Sequence, residues 1–398
     1  MKIGLVSPAS LPATQFGGIL FLILDIAREA SKLGHDVTIY TTDLDFANNA
    51  HTFNKKLPKK EKIDDFHIVR SHVWFYIKLF YVNPGIYFQM IRDNQDIIHT
   101  IGIRSFQSFI AALIAKKKNI PLIISDQGGL TTHPDFVNAS LLQRILFRLQ
   151  SPFVKFIIKQ SSQIIVPNEY EKNIFLDKRF NLNNEEKISI IKNGVNLSSL
   201  KTDTPNFKEK YNLDVPFVLF LGRFAKVKGI DILLDAIKII KNNDVSKKIK
   251  FVIMGVDFGF QSQMYEIIKK FHLEDFVCII KNPTRDDVIA AYSETEFLVL
   301  PSRWELSPLT PLEGFVFKKS IISTNVHGIP STISNGENCI LIENEDSKNL
   351  ALQIINLIDN KKECMKLGQA GYELVLNECN SKSMTEKILK IYQKLINK

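Results

Sequence analysis

Short apolar runs alternate with segments of helical periodicity along most of the chain. The first half contains the runs KIGLVSP, GHDVTIYTT, DIIHTIG, IPLIISDQG, SSQIIVPN and ISIIKNG, with helical patterns over 19–33 and in FQSFIAALIAKKK. Such short continuous runs are typical of strands that are buried on both faces, as in a parallel sheet. Because parallel neighbours need crossover connections, the alternation predicts βαβ units and an α/β fold.

The same pattern starts again after a polar, turn-rich segment. The second half contains the predicted strands VPFVLFLGR, KIKFVIMG, FVCIIKN, EFLVLPS, KSIISTN and NCILIEN, with helical patterns between most of them. We interpret NLSSLKTDTPNFKEKYNLDVP as the linker and place the two domains at 1–199 and 200–380. Two doubly wound, Rossmann-like sheets bind ligands outside the carboxyl ends of their strands, so we expect an interdomain cleft.

The last predicted element is an amphipathic helix over 381–398. Apolar side chains recur in it every three or four residues, at Met384, Ile388, Ile391 and Leu395. A helix with one apolar face needs a surface to cover. We predict that it packs back on the N-terminal domain.

Composition indicates an ordinary folded protein. The chain has 398 residues, of which 45% are hydrophobic and 23% are charged, as expected for about two domains. No apolar run reaches the ~20 residues of a membrane-spanning helix, and MKIGLVSP reads as a strand rather than a signal peptide. The four cysteines show no CxxC spacing. We therefore expect a cytoplasmic protein with reduced thiols.

Positive charge is concentrated in the first half. The net charge is +9, and residues 1–200 contain 24 Lys+Arg against 17 Asp+Glu. This half suits anionic lipid, nucleic acid or phosphorylated substrates, although a generally Lys-rich composition explains the charge equally well. No nucleic-acid motif accompanies it, so we predict no nucleic-acid partner.

A pair of cations stands at a predicted strand-to-helix turn. In FLGRFAKVKGIDILLDAI, Arg223 follows the strand and Lys228 precedes the helix. Cations at a helix N-terminus suit a phosphate or diphosphate, although such residues are also common on solvated surfaces. No Walker sequence occurs, and no GxGxxG follows the first strand. A P-loop nucleotidase and an ordinary dehydrogenase are therefore disfavoured.

Two glutamates lie close together in RWELSPLTPLEG. Glu305 and Glu313 have seven residues between them. Thr310 is a plausible N-cap, Pro311 suits the first helical position, and Glu313 would complete a capping box. Glu313 therefore has a structural explanation. Glu305 precedes the predicted cap, so it is either solvated or a ligand group.

These motifs together carry a family resemblance. Glu-x7-Glu after LVLPS, with GRxxxxKG about 80 residues earlier, resembles the retaining glycosyltransferases of family 4, which have the GT-B fold. Further segments that resemble the family occur in the family's order, and together with these motifs they cover nearly the whole chain. They are Gly17-Gly18 before the first helix, LGHDVTIYT, DIIHTIG, IIKNGVN and HGIPSTISNGENCILI.

The resemblance implies a nucleotide-diphospho-sugar donor, with UDP or GDP as the nucleotide, held by the C-terminal domain. Arg223 and Lys228 would bind the diphosphate and replace the metal of other sugar transferases, and Glu305 would contact the transferred sugar. We expect no metal or other cofactor, because no His/Asp/Glu cluster shows ligand spacing. The resemblance extends donor binding to Gly18, Ile280, Lys281, Ser307, Leu309 and Glu313, the last through the ribose.

The chain departs from the family pattern at three places. Leu306-Ser307-Pro308 replaces Gly-Phe-Gly after the first glutamate, and Ser331 stands where an acid is common. Gln127 stands where many members have an active-site histidine. It cannot perform acid–base chemistry but can hydrogen-bond a sugar, so we include it among the catalytic candidates. The acceptor-side candidates are Gly17, His99 and Asp126. For His99 and Asp126, a purely structural role is the alternative to acceptor binding.

The acceptor would be a saccharide or a lipid-linked molecule. The aromatic segment 72–90 and the apolar, basic segment 141–160 could grip it and contact the inner face of a membrane, or they could serve core packing. We expect a retaining, metal-independent hexosyltransferase in synthesis of glycan, cell-surface polysaccharide or glycolipid. Two alternatives stay open: an inactive GT-B partner subunit of another enzyme, and a sugar-nucleotide epimerase.

Overall fold

The computed structural model describes residues 1–45, 52–77, 80–128, 130, 141–177, 184–201, 206–243 and 249–397. They form two compact units, 1–194 with 381–398, and 195–380. The predicted boundary lay at 199. Leu200 and Phe207, within the predicted linker, are buried in the core of the second unit. These two residues are therefore packed parts of the second unit.

The first unit contains an eight-stranded sheet and a separate hairpin. The sheet has the order β10-β9-β8-β7-β1-β2-β4-β3, and the hairpin pairs β5 with β6. Neighbouring strands are parallel except at β3–β4 and in the hairpin. The strands are β1 Lys2–Val6, β2 Asp36–Thr42, β3 Lys60–Ile63, β4 Phe66–Ser71, β5 Phe75–Ile77, β6 Phe80–Val82, β7 Ile97–Ile101, β8 Leu122–Ser125, β9 Gln163–Val166 and β10 Ile188–Ile190.

Helices cover both faces of this sheet. They are α1 Gly18–Lys32, α2 Gly85–Arg92, α3 Phe106–Lys118, α4 Leu141–Gln160, α5 Glu169–Phe175 and the C-terminal helix Ser381–Ile396. The C-terminal helix buries Met384 and Ile388 in one apolar core with α1, and the other core contains residues of α2, α3 and α4.

Four strands, β3 to β6, were not predicted from the sequence. β3 and β4 form an antiparallel pair at the edge of the first sheet. Their segment, KEKIDDFHIVRS, has six charged residues among twelve and no apolar run longer than two residues. Charged and lysine-rich edge strands are common because they discourage pairing with another chain. A search for long apolar runs does not detect strands of this kind.

The second unit is a six-stranded sheet of parallel neighbours. Its order is β13-β12-β11-β14-β15-β16. The strands are β11 Phe217–Leu221, β12 Lys250–Gly255, β13 Val277–Lys281, β14 Phe297–Leu300, β15 Ser320–Thr324 and β16 Ile340–Ile342. The helices are α6 Phe207–Lys210, α7 Ile230–Ile240, α8 Gln261–Phe271, α9 Arg285–Glu294, α10 Leu309–Val316, α11 Ser347–Asp359 and α12 Lys361–Asn377.

Apolar side chains from alternating strand positions enter two cores, one on each face of this second sheet. Val218 and Phe220 of β11 belong to one core, whereas Phe217 and Leu219 belong to the other. This is the burial on both faces that the apolar runs predict. The expected α/β class with two doubly wound sheets is confirmed. Over the described ranges, no helix combines the length and hydropathy needed to cross a bilayer.

Candidate functional site

The loops after β11 and β14 touch at the carboxyl edge of the second sheet. Gly229 ends the first loop with φ +69°, and a Cβ there would stand 1.8 Å from the carbonyl oxygen of Pro301. The Arg303 backbone N–H donates to Val227 O at 2.8 Å. These two strands are neighbours in the sheet, so their loops meet although they are far apart in the sequence. Only glycine fits this close approach with a left-handed backbone.

The contact between these loops joins two of the predicted site residues. Lys228 Nζ donates to Glu305 Oε1 at 2.5 Å, and Ser302 Oγ donates to the same oxygen at 2.9 Å. Both charged side chains are mostly buried, with 18% of the Lys228 and 9% of the Glu305 side chain exposed. The structure therefore places an acid and a base of the predicted site in one direct ion pair.

Arg223, the second predicted cation, stacks on an aromatic ring. Its guanidinium carbon lies 4.9 Å from the centroid of the Phe258 ring. The loop that carries Phe258 is ordered by Asp257 Oδ1, which accepts from the backbone N–H groups of Gly259, Phe260 and Gln261. The ring is thus held as a platform for the guanidinium.

Glu313 does not cap its helix as predicted. Helix α10 begins at Leu309 with Pro308 as its N-cap, so Thr310 and Pro311 lie inside its first turn. The capping-box prediction was wrong because the helix begins two residues earlier than the sequence suggested. The proline at 308 has no backbone N–H of its own to satisfy, and its extended conformation suits the position before a helix.

Glu313 is instead held by two side chains of helix α9. Arg285 Nη2 donates to its Oε1 at 2.7 Å, and the Tyr292 hydroxyl donates to its Oε2 at 2.9 Å. Burial, followed by the charge of Glu313, raises the pKa of Tyr292 well above its ordinary value, so the hydroxyl remains a donor. Arg285 and Tyr292 were not predicted as site residues, since no local spacing in the sequence links them to Glu313.

A further ion-pair network supports the loop at 222–229. Arg303 donates from Nη1 to Asp231 Oδ1 at 2.7 Å and from Nη2 to Asp231 Oδ2 at 2.9 Å, and it also pairs with Glu345. Lys226 pairs with Asp231 as well. Burial opposes ionisation of Asp231, but the bonds from Arg303 and Lys226 prevail and lower its pKa. The supporting roles of Arg303, Asp231, Glu345 and Lys226 were not predicted from the sequence.

Four of the five remaining predicted donor-binding residues belong to the second unit. Ile280 and Lys281 end β13, where Ile280 is buried and Lys281 is exposed. Ser307 and Leu309 flank the start of α10, and both are partly exposed. Gly18 belongs to the first unit, where it begins α1 after Gly17, whose φ is +101°.

Three other first-unit candidates belong to the region of β7 and β8: His99 lies in the middle of β7, and Asp126 and Gln127 follow β8. Gln127 has φ +56°, and its side-chain amide forms two reciprocal bonds with that of Asn193, at 2.9 and 3.1 Å. His99 is fully buried between the Tyr392 hydroxyl at 2.6 Å and Ser125 Oγ at 2.9 Å. Burial lowers the pKa of His99 to about 3.

Asp126 is also buried. Its two oxygens accept backbone N–H groups of Ile103 and Leu130, at 3.1 and 2.7 Å. His99 and Asp126 thus have structural roles that account for their burial.

An Asp-x-Asp triplet was overlooked in the sequence. Asp43 and Asp45 have the spacing with which other sugar transferases bind a metal, but their oxygens have protein partners here. Asp43 accepts from Val73 N at 3.0 Å and lies 2.6 Å from His72 Nδ1, and Asp45 accepts from Asn54 Nδ2 at 2.9 Å. Among the residues that the structure describes, no three His, Cys, Asp or Glu side chains form a metal-binding group.

Two family models match the chain, one in each half. The model described as Glycosyltransferase Family 4 matches residues 16–199, and the model described as Glycosyl transferases group 1 matches residues 202–374. These matches, together with the two Rossmann-like units, define a glycosyltransferase of the GT-B class. The chain belongs to glycosyltransferase family 4, as the motifs in its sequence suggested.

Individual relatives are distant. An uncharacterised glycosyltransferase of Methanocaldococcus jannaschii is 28% identical over 270 residues, 67% of this chain and 67% of that protein. The capsular polysaccharide biosynthesis glycosyltransferase CapM of Staphylococcus aureus is 27% identical over 225 residues, 53% of this chain and 57% of that protein. The matches thus span between about half and two thirds of these relatives.

Solved structures resemble the chain over its full length. Sucrose-phosphate synthase from Thermosynechococcus elongatus has a TM-score of 0.78 at 18% identity, and covers 100% of this chain and 99% of its own. Anabaena HepE in complex with UDP has a TM-score of 0.75 at 15% identity, covering 99% of this chain and 100% of its own. At these identities the likeness establishes the GT-B fold.

Proposed function

We propose that this glycosyltransferase transfers a sugar from a UDP- or GDP-sugar to a saccharide or lipid-linked acceptor, with retention of anomeric configuration and without a metal. The observation that carries the proposal is the Lys228–Glu305 ion pair at the carboxyl edge of the second sheet, with Arg223 on the loop after β11 and Glu313 on the helix after β14. Ligands of parallel sheets bind at this edge. Similarity to proteins that bind UDP or build capsular polysaccharide supports a nucleotide-sugar donor and a role in glycan synthesis.

The charges suit the bond that would break. Cleavage between sugar and diphosphate develops positive charge on the sugar and negative charge on the leaving group. Arg223 and Lys228 would stabilise the leaving diphosphate, which supports a reaction that needs no divalent metal. Glu305 would bind hydroxyls of the transferred sugar, and Glu313 those of the ribose. Each carboxylate oxygen can accept more than one hydrogen bond, so the internal bonds leave capacity for a ligand.

The Lys228–Glu305 pair gives donor binding a specific consequence. Lys228 would exchange part of its interaction with Glu305 for the diphosphate, while Glu305 would gain the sugar hydroxyls. The pair keeps the side chains in place at 2.5 Å before the donor arrives, which lowers the cost of ordering them. On the same face of the sugar, the leaving phosphate would accept the proton of the acceptor hydroxyl, so Gln127 would only hydrogen-bond and orient.

A membrane-bound acceptor is supported by an exposed stripe on helix α4. Ile145, Leu149 and Phe153 recur every four residues and are 46%, 63% and 49% exposed. Helix α4 contains four Arg or Lys and no Asp or Glu. An apolar stripe among cations suits an anionic lipid surface. The hairpin segment 74–77 adds four exposed apolar or aromatic side chains in the same unit.

Vesicle binding tests the membrane contact. The wild-type protein should sediment with vesicles that contain anionic lipid and not with zwitterionic ones. Ile145→Ser combined with Leu149→Ser should abolish sedimentation, whereas Leu352→Ser, which removes an exposed leucine of the second unit, should not. Equal sedimentation of both variants would remove the support for a membrane-bound acceptor.

Nucleotide binding and donor hydrolysis test the transfer function. In the presence of EDTA, UDP or GDP should raise the Tm, and the corresponding nucleotide-sugar should release nucleoside diphosphate. Glu305→Ala should abolish transfer but leave nucleotide affinity nearly unchanged. Stabilisation without turnover would favour the inactive partner subunit, and conversion of the donor sugar to its epimer would favour the epimerase. No stabilisation by any nucleotide would contradict the proposal.

A further inference from the structure

The loop that carries Gln127 is fixed from several sides. Asp126, at its start, accepts two backbone N–H groups, and the Gln127 amide is paired with Asn193. The loop has unusual backbone geometry, since Gln127 has φ +56° and Gly128 has φ +103°. A left-handed non-glycine residue costs free energy and persists only where its surroundings hold it.

Glu171 completes these restraints from a neighbouring strand-to-helix turn. It is the third residue of α5, which follows β9, and β9 is the neighbour of β8 in the sheet. Its Oε1 accepts the Gly128 backbone N–H at 2.8 Å. The residue is 0% exposed, and its Oε2 has no hydrogen-bond partner among the described residues.

We propose that Glu171 is a positioning residue, whose hydrogen bond from Gly128 fixes the 126–128 loop and thereby the orientation of Gln127 toward the acceptor. The expected effect of Glu171 on catalysis rests on the proposed transfer function. The hydrogen bond between Gly128 and Glu171 is present whether or not that function is correct. Glu171 would touch neither the donor nor the acceptor.

The neutral acid is the form that suits this position. A buried carboxylate with one hydrogen bond would carry a large desolvation penalty, whereas the neutral acid keeps a carbonyl oxygen that accepts the Gly128 N–H. Burial, followed by the charge of Asp126, raises the pKa of Glu171 well above its ordinary value, and the bond from Gly128 opposes this only in part.

Among the residues that the structure describes, the charge that acts on Glu171 is that of Asp126. Arg104 in turn interacts electrostatically with Asp126. The strands against which α5 packs, β9 and β10, carry no titratable side chain, and on α5 itself Lys172 pairs with Glu185 and with Glu169. The neighbouring negative charge therefore comes from Asp126, and it favours the neutral form.

Two variants separate positioning from general stability. Glu171→Gln keeps the carbonyl acceptor and the size of the neutral acid, whereas Glu171→Ala removes the acceptor. Hydrogen exchange of the peptide containing Gly128 should be faster in the Ala variant and unchanged in the Gln variant. The Tm of the Gln variant should exceed that of the wild type by a margin that widens from about pH 6 to about pH 8, since only the wild type must retain a proton in order to fold.

Kinetics then test the effect on Gln127. In the Ala variant, kcat/KM for the acceptor should fall at least about tenfold, because small displacements of positioning groups are costly, while donor affinity stays within about twofold. The Gln variant should keep the wild-type rate at neutral pH and lose less activity at alkaline pH. If Glu171→Ala does not fold, Glu171→Asp replaces it, because its shorter side chain cannot reach Gly128.

The outcomes distinguish this inference from the proposed function. An Ala or Asp variant with wild-type exchange at Gly128 and wild-type acceptor kinetics would overturn the role of Glu171. A Gln variant that behaves like Ala would also overturn it, because the ionised group would then be required. A wild-type protein that transfers no sugar, with the exchange result still as expected, would instead count against the proposed function alone.

Discussion

Replacing Lys228 by methionine should destabilise the second unit by isolating Glu305. Methionine keeps much of the apolar stem but removes the charge that lies 2.5 Å from the carboxylate. Glu305 would then retain the neutral donor Ser302 at 2.9 Å, while 9% of its side chain is exposed. The carboxylate loses its charge partner but gains no new access to water.

The magnitude follows from the burial of both partners. Breaking a fully buried pair costs about 3–5 kcal/mol, because an uncompensated charge remains. The Lys228 side chain is 18% exposed, so water can replace part of its interaction, and we expect a loss of about 2–3 kcal/mol in the free energy of unfolding. For a unit of this size that corresponds to a decrease in Tm of roughly 4–12 °C.

Urea unfolding of three variants provides the assay. Lys228→Met combined with Glu305→Gln should recover at least about half of the loss, since no isolated charge remains. Lys226→Met is the matched control in the same loop: its side chain is 63% exposed, and Asp231 keeps its bonds to Arg303. The control should lose less than about 1 kcal/mol. Equal stability of the Lys228 and Lys226 variants, or no recovery in the double variant, would refute the reasoning.

Three other predictions test particular contacts. Gly229→Ala should lower the free energy of unfolding in urea by at least about 3 kcal/mol, because the new Cβ would meet a backbone carbonyl. Gly259 has φ +92° but open space around it, so Gly259→Ala should cost only about 1–2 kcal/mol. Equal costs for the two variants would contradict this prediction. The lowered pKa of His99 keeps it neutral when folded, so the free energy of unfolding should fall by about 1.4 kcal/mol per pH unit between pH 6.5 and about 3. His99→Gln should flatten that slope. Tyr292→Phe should lower the free energy of unfolding in urea by about 1–3 kcal/mol and weaken nucleotide binding, because a Glu313 oxygen loses its hydrogen-bond donor. Unchanged stability and nucleotide affinity would show that this bond contributes little.

Much of the architecture could be predicted from local patterns. Continuous apolar runs such as VPFVLFLGR are strands because both faces of a parallel sheet are buried, and that requirement acts on each run separately. The edge pair β3 and β4 was not predicted, because the edge of a sheet is partly solvated and this segment therefore contains many charged residues. The start of α10 was also misplaced. The extended Pro308 serves as its N-cap, whereas the more favourable capping signal at Thr310 is not used.

The sequence by itself determined which residues could carry the chemistry: two cations at one strand-to-helix turn, two glutamates at another, and a glutamine where the family has a histidine. The tertiary structure alone decided how these groups are paired. Lys228 reaches Glu305 across 77 positions because β11 and β14 are neighbours. Ion pairs and hydrogen bonds act over a few ångströms, so only the arrangement of the strands decides which loops come close enough to form them.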